Sequence, residues 1–400
     1  MPISASRSVA ALLLLFLAGC ASRVAVQAPA PSSLAADLDR IVDAPPFDRA
    51  VWGIDVEDDA GRTLYARNAG KLMIPASNRK LFSAAMVIDC LGADARLATS
   101  IWRDGDDLVV VGDGDPSLGS ARYERDGDFD LIAEQLRARG ITRVRDLVMD
   151  VSHFDRITVP PGWKVNYLTD AYGAPVDAIA WQENARGEHA VADPPGSALA
   201  ALRDVLTLHD ITVAGVSRIN TAPRTWQEKL FELPSPFVAQ LLTTVLKNSH
   251  NLYAEMLYKR AAGGTYEQAF ATERAFLLAD AHVADGSFRF MDGSGLAPDD
   301  LVAPESVVRI LRWMNDPSRR GFWWTVLAQP ANEGTLRRRL ITLEPRLRGK
   351  TGTLASVNTL SGIIAMPDGT YRYFTILLNH HLAAEATKAV DAIAARIAER

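Results

Sequence analysis

Ser77-Asn78-Arg79-Lys80 puts a hydroxyl three positions before an amine. On a helix, residues three apart share a face, so the two side chains can meet. A serine hydroxyl is a weak nucleophile until a base takes its proton. A lysine can be that base when burial or a neighbouring cation depresses its pKa. Ser77 could instead simply cap the helix. A capping box, however, would place Glu or Gln three residues on. This chain places Lys80 there, where the helix dipole disfavours a cation. That locally costly choice favours a chemical role, although Ser-x-x-Lys by itself is common by chance.

Two further stretches could complete a site. Ser249-His250-Asn251 falls where two helical runs meet. On a short connection its hydroxyl and carboxamide can point into one cleft, relaying a proton and holding a substrate amide. Asn251 can also cap the helix that follows, and the two uses are compatible. Lys350-Thr351-Gly352-Thr353 lies in a strand-like run. Gly352 leaves room for a substrate backbone. Lys350 offers a fixed positive charge and the threonines offer hydroxyls, a set suited to a terminal carboxylate. An edge strand there could pair with an extended peptide. The plain alternative is a Lys-Thr-rich surface strand.

The elements that must position these residues can be read from pattern. A helix is expected from Leu34 to Val42, then strands at Ala50–Val56 and Thr63–Ala66 around the turn Asp58-Asp59-Ala60-Gly61. A helix from about Asn78 to Leu91 follows. Residues 97–225 alternate short Val/Ile/Leu runs with Gly/Asp/Pro turns and read as an inserted smaller α+β domain. Within it, Leu131–Met149 and Leu199–Ile219 each read as helix, Ile-Thr turn and strand, a hint of duplication. Helices are then expected at Pro236–Leu246, Leu252–Ala262, Tyr266–Asp280 and Pro304–Asn315. Strands follow at Leu347–Leu354, Asn358–Met366 and Tyr371–Leu378, and a final helix at Ala383–Glu399. Strands at both ends with helices between imply one sheet built from the two termini, from residues 35–96 and 226–400.

Taken together and in order, Ser-x-x-Lys, Ser-x-Asn and Lys-Thr-Gly resemble the serine β-lactamase/transpeptidase superfamily. The closer resemblance is to the low-molecular-mass class C penicillin-binding proteins, the D-alanyl-D-alanine carboxypeptidase/endopeptidases. Gly114-Asp115-Pro116-Ser117-Leu118, Tyr172-Gly173-Ala174-Pro175, Asp292-Gly293-Ser294-Gly295-Leu296 and Gly334-Thr335-Leu336 carry it further, over residues of about 35 to 380. The resemblance implies an α+β fold, a transpeptidase-like antiparallel sheet flanked by helices. It implies a Ser77 acyl-enzyme with Lys80 as base, Ser249 as proton relay, and Asn251, Lys350, Thr351, Gly352 and Thr353 binding substrate. The backbone N–H groups of Ser77 and Thr353 would form the oxyanion hole. Peptidoglycan peptides are the implied substrate and β-lactams the covalent inhibitors, with no cofactor and no metal. Two features depart from the pattern: His250 stands where the family often has Asp, and the stretch between Lys80 and Ser249 is shorter than in larger members. A β-lactamase or esterase of the same superfamily is the nearest alternative, and the long insertion between the first two motifs argues against it. A non-catalytic wall-binding lipoprotein is the alternative from another class, and the intact motifs argue against that.

Composition sets limits. The 400 residues are 48% hydrophobic and 23% charged, an ordinary globular balance. The net charge of -5 carries no clustered basic excess, so nucleic-acid binding is not expected. Asp113, Asp115, Ser117 and Glu124 only partly match a calcium loop, since Leu118 replaces the required glycine. At the start, Arg7 precedes an apolar run from Val9 to Leu17 and then Leu17-Ala18-Gly19-Cys20. The run is too short to span a bilayer and fits a signal peptide of residues 1–20. Cys20 then reads as the lipidated residue of a lipobox, with 21–34 as a tether. This predicts a periplasmic, lipid-anchored protein. Ala21 and Ser22 resemble the signal for outer-membrane sorting in a Gram-negative cell. Cys90 is expected in the core.

Overall fold

The computed structural model describes residues 33–399. The expected signal peptide and lipidated Cys20 lie outside them, as does the expected tether up to residue 32; Ser33 and Leu34 already belong to the first helix. The first helix, α1 (Ser33–Val42), leads into the hairpin β1 (Val51–Asp58) and β2 (Thr63–Arg67). Gly61, at φ 78°, allows the tight turn between them. A 3-10 turn, Ala76–Arg79, runs directly into α2 (Lys80–Leu91). Then come β3 (Arg96–Asp104), β4 (Asp107–Val111), α3 (Asp128–Ala138), β5 (Leu147–Asp150), α4 (Pro194–Leu208), β6 (Ser217–Asn220) and β7 (Glu228–Phe237). Asp193 caps α4 by accepting from Gly196 N–H, with Pro194 as the first helical residue. The helices α5 (Val238–Lys247), α6 (Asn251–Ala261), α7 (Tyr266–Ala279), α8 (Pro304–Met314) and α9 (Arg320–Val326) follow. Strands β8 (Leu347–Leu354), β9 (Val357–Ala365) and β10 (Tyr371–Asn379) and helix α10 (Ala386–Glu399) complete the chain.

One antiparallel sheet has the order β8-β9-β10-β1-β2, so both ends of the chain build it, as expected. Its strands alternate between two cores. Phe374, Ile376 and Leu378 face α1 and α10, while Tyr373 and Leu377 face the central helices. The second sheet has the order β6-β5-β4-β3-β7 and draws on residues 96–237. The duplication hinted at in sequence is visible here. β6 pairs parallel with β5, and Arg143–Val144 pairs parallel with Thr212–Val213. Both copies run helix, short strand, strand, and α3 and α4 pack one face of the sheet through Ile132, Leu136, Leu199 and Leu202.

Sequence pattern missed two elements and misplaced one residue. β7 contains Pro234 and Pro236, which argue against a strand. It forms nonetheless because it is an edge strand whose register with β3 shifts at both ends. The predicted helix start at Pro236 therefore moves to Val238. The short α9 has no periodicity long enough to read. Cys90 is exposed rather than in the core, at the last turn of α2. Its thiol is still a poor nucleophile, because partial burial and the neighbouring Asp89 both push its pKa up.

Candidate active site

The backbone around Ser77 is held by polar groups of the first sheet. Thr359, Ser361 and Asn379 lie on the sheet face toward α2, all buried. Asn379 accepts from Ile74 N–H at 2.8 Å and donates to Ile74 O at 3.1 Å. Thr359 Oγ1 donates to Pro75 O at 3.0 Å. Asn78 Nδ2 donates to Ser361 Oγ at 2.6 Å. Between these anchors Ala76 is forced to φ 47°, a left-handed value that an alanine rarely adopts. The 3-10 geometry eclipses residues three apart. It brings Lys80 Nζ to 3.0 Å from Ser77 Oγ.

Lys80 is wholly buried. Besides Ser77, its Nζ donates to Asn251 Oδ1 at 2.6 Å and to Ser294 O at 2.6 Å. Asn251 is the first residue of α6 but does not cap it. Its side chain is spent on Lys80 and, through Nδ2, on Tyr172 O at 2.8 Å. Burial is the main cause lowering the Lys80 pKa to about 8. Asp292 and Glu255 oppose that shift, and Arg79 adds to it. Of the two expected causes, burial comes first, and the neighbouring cation that adds to it is Arg79. Arg79 is itself neutralised by Glu273, at 2.5 and 2.8 Å.

The Ser294 carbonyl has its own scaffold. Asp292 accepts from the backbone N–H groups of Ser294, Gly295, Leu296 and Ala297 at 2.6–3.0 Å and from Trp163 Nε1 at 2.8 Å. Gly295 must lack a side chain, because a Cβ there would stand 2.0 Å from Ala76 O. The sequence marks this loop only as a matching stretch. A backbone carbonyl has no side-chain signal by which its role could be read.

The other two motifs converge on the same place. Lys350 Nζ donates to Ser249 Oγ at 2.8 Å and to Thr351 O at 2.8 Å. Burial first, and then Lys80, push the Lys350 pKa well below its usual value. A Cβ on Gly352 would fall 2.9 Å from Ser77 N and 2.3 Å from Thr359 Oγ1, so glycine is what lets β8 lie against Ser77. β8 is an edge strand of its sheet. Gly349 exchanges both backbone bonds with Ala328, on the side away from β9. By the antiparallel alternation, Thr351 and Thr353 turn their backbone groups the same way. The structure therefore brings Ser77, Lys80, Ser249, Asn251, Lys350 and Gly352 together, with Thr351 and Thr353 on the edge beside them. Sequence reasoning did not find Glu183, which accepts from Ser120 Oγ at 2.8 Å and lies 3.1 Å from His250 Nε2.

The D-Ala-D-Ala carboxypeptidase 3 (S13) family matches residues 34–188 and 182–400. The chain belongs to that family. As an S13 protein it is a serine hydrolase and a low-molecular-mass class C penicillin-binding protein. A D-alanyl-D-alanine carboxypeptidase of Actinomadura sp. is 29% identical, over 92% of this chain and 85% of its own length. Among solved structures, penicillin binding protein 4 of Haemophilus influenzae shares the fold at a TM-score of 0.80 and 19% identity, covering 90% of this S13 chain and 98% of its own. The same protein complexed with a β-lactam gives a TM-score of 0.73 at 19% identity over the same shares of each chain. Bd3459, a predatory peptidoglycan endopeptidase of Bdellovibrio bacteriovorus, gives a TM-score of 0.61 at 15% identity, covering 88% and 93% of the two chains. Among the described residues of this S13 protein, no helix is long and apolar enough to cross a membrane.

Proposed function

We propose that this protein cleaves D-alanyl-D-alanine bonds of peptidoglycan stem peptides and cross-links through an acyl-enzyme on Ser77. The observation that carries the proposal is the hydrogen-bond set of Lys80. A neutral amine has two N–H donors and one lone pair. Asn251 Oδ1 and Ser294 O, each at 2.6 Å, use both donors. The lone pair is left for the Ser77 hydroxyl at 3.0 Å. A pKa lowered to about 8 keeps a useful fraction of Lys80 in that neutral form.

In this mechanism Lys80 Nζ takes the Ser77 proton as Oγ attacks the carbonyl carbon of the penultimate D-alanine. The N–H groups of Ser77 and Thr353 receive the oxyanion, each donor being worth about 3–4 kcal/mol of barrier. The C–N bond then breaks. Ser249, held by Lys350 at 2.8 Å, gives its proton to the departing amine, and the proton that Lys80 took from Ser77 replaces it. Lys350, Thr351 and Thr353 hold the terminal carboxylate, whose approach favours the charged form of Lys350. Asn251 orients the substrate amide, and water hydrolyses the acyl-enzyme. The edge of β8 supports recognition of an extended peptide by strand addition. The names of the Actinomadura and Bdellovibrio proteins and the β-lactam complex of the Haemophilus protein support the same chemistry here. The sequence Leu17-Ala18-Gly19-Cys20 supports an extracytoplasmic protein lipidated at Cys20.

The test is intact-protein mass spectrometry of the full chain, in detergent, with benzylpenicillin. One stable adduct is expected on the wild type and none on Ser77→Ala. An acyl mass on Cys20 is expected in the same spectrum. Penicillin left intact without an adduct would sink the acyl-enzyme proposal. Penicillin consumed without an accumulated adduct would turn it toward a β-lactamase.

A further inference from the structure

The loop that carries Ser249 has a support outside the three motifs. Gln182, Glu183 and Asn184 take φ values of 52°, 58° and 51°, three successive non-glycine residues in the left-handed region. Such strain persists only where the surroundings over-determine it. Here they do. Trp181 stacks on Phe129 with ring centroids 3.6 Å apart. A Cβ on Gly119 would come within 2.3 Å of Trp181, so the indole packs directly on that glycine. Gln182 N–H donates to Leu118 O at 3.1 Å. Asn184 Nδ2 donates to Pro175 O at 2.9 Å, and its Oδ1 accepts from Trp181 N–H at 3.1 Å.

This turn presents Glu183 to the second motif. Its Oε1 accepts from Ser120 Oγ at 2.8 Å, Tyr253 OH at 3.1 Å and Arg122 Nε at 3.1 Å. Its Oε2 lies 3.1 Å from His250 Nε2. Burial would raise the carboxyl, but the bonds from His250, Ser120 and Arg122 outweigh it and hold Glu183 well below the usual carboxylate range. His250 Nδ1 is buried without a partner. Among the described residues, Glu183 is the only side chain hydrogen-bonded to the His250 ring. On one side of His250 is Ser249, at φ 62°; on the other is Asn251. Glu183 and His250 also line a cleft of about 650 Å³, so the pair borders solvent rather than sealing a core.

We infer that Glu183 is a positioning residue for the proton relay, acting through His250 to fix Ser249 in its left-handed conformation. This rests on the proposed acyl-enzyme chemistry. The histidine that departs from the usual aspartate is then one half of a pair whose other half is Glu183; an aspartate at 250 would face a carboxylate.

The consequence is selective. An amide nitrogen must be protonated as it leaves, whereas a thiolate leaves without a proton. The full chain would be assayed with benzylpenicillin, with a D-alanyl-D-alanine peptide and with the corresponding D-alanyl thioester. Glu183→Ala is expected to slow reaction with the first two by roughly 30-fold, within the range of general-acid effects, and with the thioester by less than about threefold. Glu183→Gln can still bond His250 whichever tautomer it holds, and is expected to stay within about threefold of wild type on all three. His250→Ala should reproduce the Glu183→Ala pattern, and the double variant should be no worse than the poorer single one. If Glu183→Ala does not fold, Glu183→Gln and His250→Ala carry the test. Equal losses on amide and thioester, additive losses in the double variant, or wild-type rates in Glu183→Ala or His250→Ala would overturn the inference. A wild type inert to penicillin, peptide and thioester alike would instead overturn the acyl-enzyme proposal beneath it.

Discussion

The site holds two serine–lysine pairs, and they are built in opposite ways. Ser77 and Lys80 are three residues apart on one helical turn, at 3.0 Å. Ser249 and Lys350 are 101 residues apart, at 2.8 Å, one on a loop and one on an edge strand. Both serines lie at left-handed backbone, Ala76 at φ 47° before the first and Ser249 itself at φ 62°. Both lysines are buried with depressed pKa values. The difference lies in what guarantees the contact. Local geometry sets the first pair wherever the turn forms. The second exists only if sheet register, the β8 approach and the 249–251 loop all agree. In the proposed mechanism the activation of Ser77 falls to the local pair, and the substrate-dependent steps to the assembled one.

The largest effect should come from breaking the local pair. In the proposed mechanism Lys80→Ala removes the base. Acylation by benzylpenicillin is expected to fall about 10³–10⁴-fold. The pH profile sharpens this. Below a pKa of about 8, Lys80 gains a proton and loses the lone pair that faces Ser77. Wild-type acylation should therefore fall about tenfold per pH unit as pH drops below that value. The residual rate of Lys80→Ala should be flat there. A wild-type profile flat from pH 6 to 9 would remove Lys80 from the role of base.

The same contrast explains what the sequence revealed. Ser77-x-x-Lys80 could be interpreted from helical spacing alone. Ser249 and Lys350 were joined only by a family resemblance, since nothing local links them. The strand pattern of β9 misleads at Thr359 and Ser361. In a half-exposed strand two such polar residues would face water, yet both are buried because residues 74–78 cover that face. Glu183 sits in a turn with no periodicity, and its partner is 67 positions away. The carbonyls of Ser294 and Tyr172 carry no side-chain information at all. The terminal sheet and most helices were legible because each buries a regular stripe. β7 was not, because its prolines fit only an edge strand.

A smaller effect should follow from breaking the assembled seam. A methyl group at Gly352 would meet Thr359 Oγ1 at 2.3 Å, Ser77 N at 2.9 Å and Pro75 O at 3.0 Å. Two of these three are backbone atoms, so β8 or the 75–77 segment must shift. Gly352→Ala is expected to cost about 1–3 kcal/mol of stability, read by thermal unfolding. A displacement of about 1 Å at the oxyanion hole would cost acylation roughly 10²-fold. The pH dependence should keep its midpoint, because burial and the charges of Asp292, Glu255 and Arg79 set the Lys80 pKa, and those three charges lie outside β8. A midpoint moved by a full unit would mean that β8, not the helical turn, sets the environment of Lys80.

The smallest effect tests the strain beside Ser77. Ala76→Gly relieves a left-handed alanine, worth about 1–2 kcal/mol. It also deletes a buried methyl, about 0.8 kcal/mol, and adds unfolded-chain entropy, about 0.4–1 kcal/mol. These nearly cancel, so the melting temperature should move by less than about 2 °C. Acylation should still drop by a few-fold, because a glycine at 76 no longer restricts the approach of Ser77. Stability unchanged with a reduced rate would show that the alanine is there to hold Ser77. A clearly raised melting temperature at full activity would show the strain to be incidental, with the polar anchors on Ile74, Pro75 and Asn78 sufficient to place Ser77.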